Sequence, residues 1–303
     1  MSRPFYFFLI LLCFNLVYAQ TYNIIDFGAK PDGSFVNTDP INNAINQCSL
    51  LGGGTVIIPK GKFITGTIYL KSNVNLNLER GSVLIGSEDI NNYDIMPEGY
   101  YYSGKNYMGI LFANDVINVS ITGKGVIDGR GTFFMKKNTR FIPSKEERKY
   151  TRQKGKYQDT LDLEDGPLKF FERPGHIITI SNAENIIIQD IHFLDAPKWT
   201  IRIGGSDNVK ISEITINNNL LIPNSDGIHI TSSSNVNVSN SNVIAGDDAL
   251  IVTGFISGLE EYTYGNNSKE AKNIIFSNCF VTSKSSGIRV GYGEKPIRNV
   301  LFN

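Results

Sequence analysis

Asn185-Ile186-Ile187-Ile188, Asn208-Val209-Lys210-Ile211 and Asn235-Val236-Asn237-Val238 repeat one pattern, an Asn followed by alternating β-branched or apolar residues. The pattern stands earlier at Asn118-Val119-Ser120-Ile121 and later at Asn273-Ile274-Ile275-Phe276 and Asn299-Val300-Leu301-Phe302. From Asn185 onward the offsets are 23, 27, 38 and 26 residues, which suits one coil of a β-solenoid with an inserted loop in the longest gap. Each coil is expected to contribute short strands whose inward residues stack on their equivalents in the next. The repeated Asn is expected at a turn, where it tolerates left-handed backbone and can hydrogen-bond along a ladder of turns. A β-sandwich also has many short strands but lacks an in-register Asn motif. The expected fold is therefore all-β, a right-handed parallel β-helix in a single domain over residues 20–303.

The N-terminal part fits the same architecture. Thr38-Asp39-Pro40 predicts a helix start, with Pro near the first turn and Ile41, Ala44, Ile45 and Cys48 along one face. Such a helix would cap the open end of a solenoid core. Gly52-Gly53-Gly54 ends it before Thr55-Val56-Ile57-Ile58, read as the first strand.

Residues 1–19 read as a signal peptide. Arg3 supplies a positive charge, Phe5 to Phe14 is an apolar run short for a bilayer span, and Val17-Tyr18-Ala19 offers small residues before a cut at Gln20. A membrane anchor is the competing reading, but no long apolar stretch follows. A secreted or periplasmic location is expected, with no membrane partner. Past this segment only Cys48 and Cys279 remain, too few and too distant for a disulfide scaffold, so packing must supply stability.

Bulk charge excludes little. The 303 residues carry 29 Lys plus Arg and 29 Asp plus Glu, so any electrostatic preference is local, and no nucleic-acid partner is indicated. Two stretches interrupt the repeats. Residues 130–172 hold Lys136, Lys137, Arg140, Lys145, Arg148, Lys149, Arg152, Lys154 and Lys156, then Asp159, Asp162, Glu164 and Asp165. This is read as a long basic excursion, either a polyanion-binding loop or a solvated one without a ligand. Residues 255–270, with Glu260, Glu261 and Tyr262, form a shorter polar excursion.

Chemistry concentrates in Asn224-Ser225-Asp226-Gly227 and Gly246-Asp247-Asp248. Asp226 and Asp247 lie 21 residues apart, close to one coil. Coils rise about 4.8 Å, so the three carboxylates are expected on one face. Glycosidic hydrolysis needs an acid for the leaving oxygen and a base for water, and crowded acids push at least one pKa upward. Adjacent Asp residues in a regular strand face opposite sides, so both reach a cleft only if Gly246 marks a bend. Singly, Asp-Gly is a common turn pair and Asp-Asp a common surface pair. Their one-coil spacing on a solenoid favours function.

From about Asp26 the chain resembles the polygalacturonase family of glycoside hydrolases, family 28. Asp26-Phe27-Gly28-Ala29-Lys30-Pro31-Asp32-Gly33 and Gly52-Gly53-Gly54-Thr55-Val56 are similar to the start of many pectin-active β-helices. Arg173-Pro174, Pro197-Lys198-Trp199-Thr200, Asn224-Ser225-Asp226-Gly227 and Gly246-Asp247-Asp248 are more discriminating. The resemblance implies an inverting hydrolase acting on an acidic pectic polysaccharide; separately, a monomer without a cofactor or metal is expected. The resemblance makes Asp247 the general acid and gives Asp226 and Asp248 the nucleophilic water. Asn224, Ser286 and Arg289 are expected to bind substrate, Arg289 by gripping a uronate carboxylate, with a surface ion pair as its alternative.

Ser225 replaces the family's Thr and keeps the hydroxyl, whereas Ser286 stands where the family's His-Gly motif has His. That departure points to a divergent galacturonic-acid-containing glycan. The chain stops at Asn303, inside a repeat and before any counterpart of the family's Arg-x-Lys motif, so it is expected to be a fragment of a longer protein. His176, His192 and His229 show no metal-ligand spacing, and His229 is read as an ordinary strand position, with lining of the cleft as its alternative. Trp199 is either a sugar platform or packing under the loops. Two rivals stand beside the hydrolase, a Ca²⁺-dependent polysaccharide lyase and a non-catalytic carbohydrate-binding β-helix.

Overall fold

The computed structural model describes residues 20–96, 106–140, 167–254 and 270–303. The expected signal peptide, residues 141–166 of the basic excursion and residues 255–269 lie outside the described residues. What is described is a right-handed parallel β-helix with three sheets. The first sheet has nine parallel strands, running from Thr21–Asn23 through Gly54–Ile58 and Glu184–Gln189 to Ile297–Phe302. The second has eight, from Asp32–Val36 to Phe280–Ser283, and the third has seven, from Ile68–Tyr69 to Ile288–Val290. Strands therefore begin before Gly54–Ile58, and the segment read as the first strand is the second rung of its sheet.

Register produces the stacking that the repeat predicts. In the first sheet Val56, Leu76, Ile121, Ile188, Ile211, Val238, Phe276 and Phe302 pair in succession, coil upon coil. In the second, Phe63, Leu84, Ile127, Phe193, Ile216 and Val243 do the same. Most of these side chains are fully buried and belong to one continuous core. Parallel strands cannot pair by hairpins, so every coil must travel round all three sheets before meeting its neighbour.

The repeated Asn does what the pattern implies. Asn118, Asn185, Asn208, Asn235, Asn273 and Asn299 all have left-handed backbone, with φ between 53° and 59°. Their amides form a ladder: Asn118 donates to Asn73 at 2.8 Å, Asn185 to Asn118 at 2.9 Å and Asn273 to Asn235 at 3.0 Å. One rung differs, since Asn235 donates to Asp207 rather than to Asn208. The Asn column thus satisfies polar groups at each corner while allowing a bend that Val or Ile could not make.

Helix α1 covers Thr38–Leu50 and buries Pro40, Ile41, Ala44, Ile45 and Cys48, the predicted face, against the first coils. Within the basic excursion, Met135–Arg140 and Leu168–Phe170 form a two-stranded antiparallel pair. Cys48 and Cys279 are both free thiols.

The third sheet departs from simple alternation. Strands Ile178–Ser181, Ile201–Gly204, Ile228–Thr231 and Leu250–Thr253 are buried at every position. Ile178, Ile201, Ile228 and Leu250 face the core, whereas Thr179, Arg202, His229 and Ile251 alternate to the outer side and are buried there too. A buried outer face carrying Arg and His is a place to look for function.

Candidate active site

The site forms where the turns preceding the third-sheet strands come into register. Ile178, Ile201, Ile228, Leu250 and Ile288 pair coil to coil. Parallel bonding continues into the turns: Ile177 donates to the Trp199 carbonyl, Thr200 to Asp226, Gly227 to Asp248 and Ala249 to Ser286. His176, Trp199, Asp226, Asp248 and Ser286 consequently form one column outside the core. Lys198, Ser225, Asp247 and Ser285 form a second column one residue earlier.

Counting by coil length sets Asp226 against Asp247, but the register sets it against Asp248. All three acids still meet on one face. Asp247 and Asp248 lie in the turn between strands Asn242–Ala245 and Leu250–Thr253, with a bend at Gly246 and Asp247, so strand alternation does not separate them. Glycine is required at that bend. A Cβ on Gly246 would lie 2.4 Å from Ser225 Oγ and 2.6 Å from the Ile222 carbonyl oxygen. Ser225 is itself buried, donates to the Ile222 carbonyl at 2.8 Å and accepts from the Gly246 N–H at 3.1 Å. It pins one acid-bearing turn to the other.

The acids differ in their surroundings. Asp248 is 1% exposed; its Oδ1 accepts the Ser286 N–H at 3.0 Å and its Oδ2 meets the Arg289 guanidinium. Asp226 is buried beside His229. Asp247 is half-buried, and burial first, then the neighbouring Asp248 charge, push its carboxyl above the ordinary range. The Ser285 hydroxyl, Arg289 and the Asn224 N–H oppose that rise without cancelling it. One carboxyl is thereby favoured to carry a proton while its neighbour is ion-paired, which is the division that acid–base catalysis uses.

Arg173 fastens the turns from beneath. It is 5% exposed, stacks on Phe170 at 4.0 Å, and donates to the carbonyls of Pro197 and Pro223, both at 2.7 Å, and to Asn224 Oδ1 at 3.1 Å. Burial pushes its pKa down to about 9, against the pull of Asp226 and Asp247, so it stays charged at neutral pH. Lys198, half-buried at the same rim, is pushed down to about 8 by burial and by Arg173.

The rings decide between the two readings of Trp199 in favour of packing. Trp199 is sandwiched between His176 at 4.5 Å and His229 at 3.9 Å, both stacked, so neither face is open to a sugar. Burial, with Arg202 second, holds both imidazoles well below their ordinary pKa. The 4.0 Å approach of His229 Nδ1 to Asp226 is thus a contact with a neutral ring, not an ion pair. His229 Nε2 lies 3.2 Å from the Thr253 hydroxyl. His229 occupies a position within strand Ile228–Thr231, with its ring beside the acid that this strand follows.

The substrate-binding expectations are placed as follows. Asn224 is exposed with left-handed backbone (φ 56°), its side-chain oxygen held by Arg173. Ser286 contacts Asp248 through its backbone, and Arg289 does so through its side chain. Sequence reasoning missed the roles of Arg173, Lys198, His176 and Arg202. A signal existed for Arg202, His229 and Arg289, each standing between two apolar residues at the same place in its coil. Among the described residues no group of three or more His, Cys, Asp or Glu side chains is placed to hold a metal ion.

Residues 48–291 match the family model described as glycosyl hydrolases family 28. The chain is 30% identical to a probable polygalacturonase of Vitis vinifera over 264 residues, covering 83% of this chain and 48% of that protein. It is also 30% identical to an exo-poly-alpha-D-galacturonosidase of Dickeya chrysanthemi over 261 residues, covering 76% and 41%. The chain thus spans about half the length of these relatives. Among solved structures, a Yersinia enterocolitica family 28 exopolygalacturonase superposes with a TM-score of 0.68 at 22% identity, over 94% of this chain and 54% of that one.

Proposed function

The chain belongs to family 28 of the glycosyl hydrolases, and from that membership we propose that it hydrolyses a galacturonic-acid-containing pectic polysaccharide with inversion of configuration. The observation that carries this reading is the in-register meeting of three acids on one face, one of them raised in pKa by burial and by its ion-paired neighbour. In the proposed mechanism Asp247 protonates the leaving glycosidic oxygen. Asp226 and Asp248 orient a water and take its proton as it attacks the anomeric carbon from the opposite side. The ring stack of His176, Trp199 and His229 packs beside Asp226, and Ser225 and Arg173 fix the turns that carry the acids.

The cationic rim suits an acidic substrate. Lys198, half-buried one residue before Trp199, gives an entering uronate carboxylate opposite charge. We take the protein to act as a secreted or periplasmic monomer, with residues 1–19 as its signal. Among the described residues no helix is long and apolar enough to cross a membrane.

The purified protein, incubated with polygalacturonate and with rhamnogalacturonan, is expected to release new reducing ends without ultraviolet-absorbing unsaturated ends. EDTA is expected to leave the rate unchanged. Unsaturated ends that vanish with EDTA would instead establish Ca²⁺-dependent elimination and overturn the hydrolytic reading.

A further inference from the structure

Asp248 stands apart from the other two acids in how it is held. At 1% exposure, a carboxylate without partners would be costly. Both of its oxygens take donors from the following coil: the Ser286 N–H on Oδ1 and the Arg289 guanidinium on Oδ2. These donors flank a single strand start, Ser286 two residues before Ile288 and Arg289 one residue after it. The pairing of Ile288 with Leu250 sets both against Asp248. Arg289 is in turn fixed by the same register, opposite Ile251 and one further coil from His229, with the Tyr292 ring 5.0 Å from its guanidinium. The arrangement is a clamp with one neutral and one charged jaw.

We propose that Arg289 is a positioning residue, which with the Ser286 N–H locks Asp248 as the fixed carboxylate that orients the attacking water and so leaves the proton to Asp247. This rests on the hydrolytic reading above and assigns Arg289 to the acids rather than to the substrate. Among the described residues, the charged and titratable groups around the guanidinium are Asp248 and Asp247 on the preceding turn, His229 two coils back and Tyr292 beyond its own strand. His229 is held neutral by burial, so the two carboxyls are the charged partners that the guanidinium faces, Asp248 in direct contact. An opposite charge in contact favours the ionised form, so removing the guanidinium makes both carboxyls bind protons more readily. Asp247 responds in the same direction, since Arg289 is one of the groups restraining its rise.

The test compares wild type, Arg289→Gln and Arg289→Lys, each first confirmed as folded by circular dichroism and thermal melting. In Arg289→Gln, kcat is expected to fall at least tenfold with little change in KM. Both limbs of the pH profile of kcat/KM are expected to move to higher pH by about one unit or more. Arg289→Lys keeps a charge and is expected to return the limbs toward wild type while recovering only part of kcat. Carbon-13 titration of the Asp side-chain carboxyls, assigned with Asp247→Asn and Asp248→Asn, reads the same shift without needing turnover. A raised KM with unmoved pH limbs and unmoved carboxyl titrations would make Arg289 a substrate-carboxylate ligand and overturn the proposal. If wild type released no reducing ends but its Asp248 titration still moved in Arg289→Gln, the clamp would stand and the hydrolytic reading would fail. An Asp248 titration indifferent to Arg289→Gln would remove the clamp whatever the activity.

Discussion

Replacing Asp247 with Asn is expected to cut hydrolysis on the order of 10³-fold or more while leaving the fold intact. An amide keeps the carboxyl's shape and still accepts from the Ser285 hydroxyl and the Asn224 N–H, so the turn has no reason to move. What it cannot do is release a proton to the leaving oxygen, and general acid catalysis contributes about 10²- to 10⁴-fold. Rates of reducing-end formation beside a thermal melt check both halves. The raised pKa of Asp247 adds a direction. The acid is competent below its pKa, so activity is lost as pH rises through a value above the ordinary carboxylate range. That alkaline limb disappears in Asp247→Asn if the assignment holds. A variant that retains most of the rate would show that Asp247 is not the acid.

Arg173→Ala is expected to carry the largest stability loss among the site residues, about 3 kcal/mol or more. Two effects compete. Removing a buried cation relieves its desolvation, visible in a pKa pushed down to about 9. Against that, the carbonyls of Pro197 and Pro223 and the Asn224 side chain lose their donors, and hydrogen bonds to charged groups are worth about 1.5–3 kcal/mol each. The stack on Phe170 is lost as well, leaving a cavity. The bonds win, because three acceptors in two different turns cannot be satisfied by one collapse. Activity is expected to fall with stability, since Arg173 ties the turn bearing Lys198 and Trp199 to the turn bearing Asn224 and Asp226. Lys does not rescue, as one ammonium cannot reproduce a planar fork over an aromatic ring. Urea unfolding of wild type, Arg173→Ala and Arg173→Lys measures this. A loss below about 1 kcal/mol in the Ala variant would contradict it.

Much of the fold was legible because a solenoid writes its period into the chain. The Asn corner and the apolar alternation recur wherever a coil recurs, and both follow from local backbone and burial rules. The site was legible in part. Asp226, Asp247 and Asp248 were visible as motifs, but which pair stacks was not, since coil length alone leaves a one-residue ambiguity that hydrogen-bond register resolves. The Trp199 sandwich was hidden for a similar reason. His176, Trp199 and His229 are distant in sequence and become neighbours only when three coils are aligned, after which the ring faces are no longer open to sugar. Arg173 was quoted as part of a motif, yet its partners are backbone carbonyls, and backbone partners leave no trace in residue identity.

The division of labour among the three acids is tested most directly by the anomeric form of the first product. Proton NMR during the opening minutes of polygalacturonate cleavage, before mutarotation, distinguishes the two anomers at the new reducing end. Water delivered by Asp226 and Asp248 opposite the leaving group that Asp247 protonates predicts the β-anomer from an α-linked chain. First appearance of the α-anomer would mean a retained configuration and a covalent intermediate, and would contradict the assignment of all three residues.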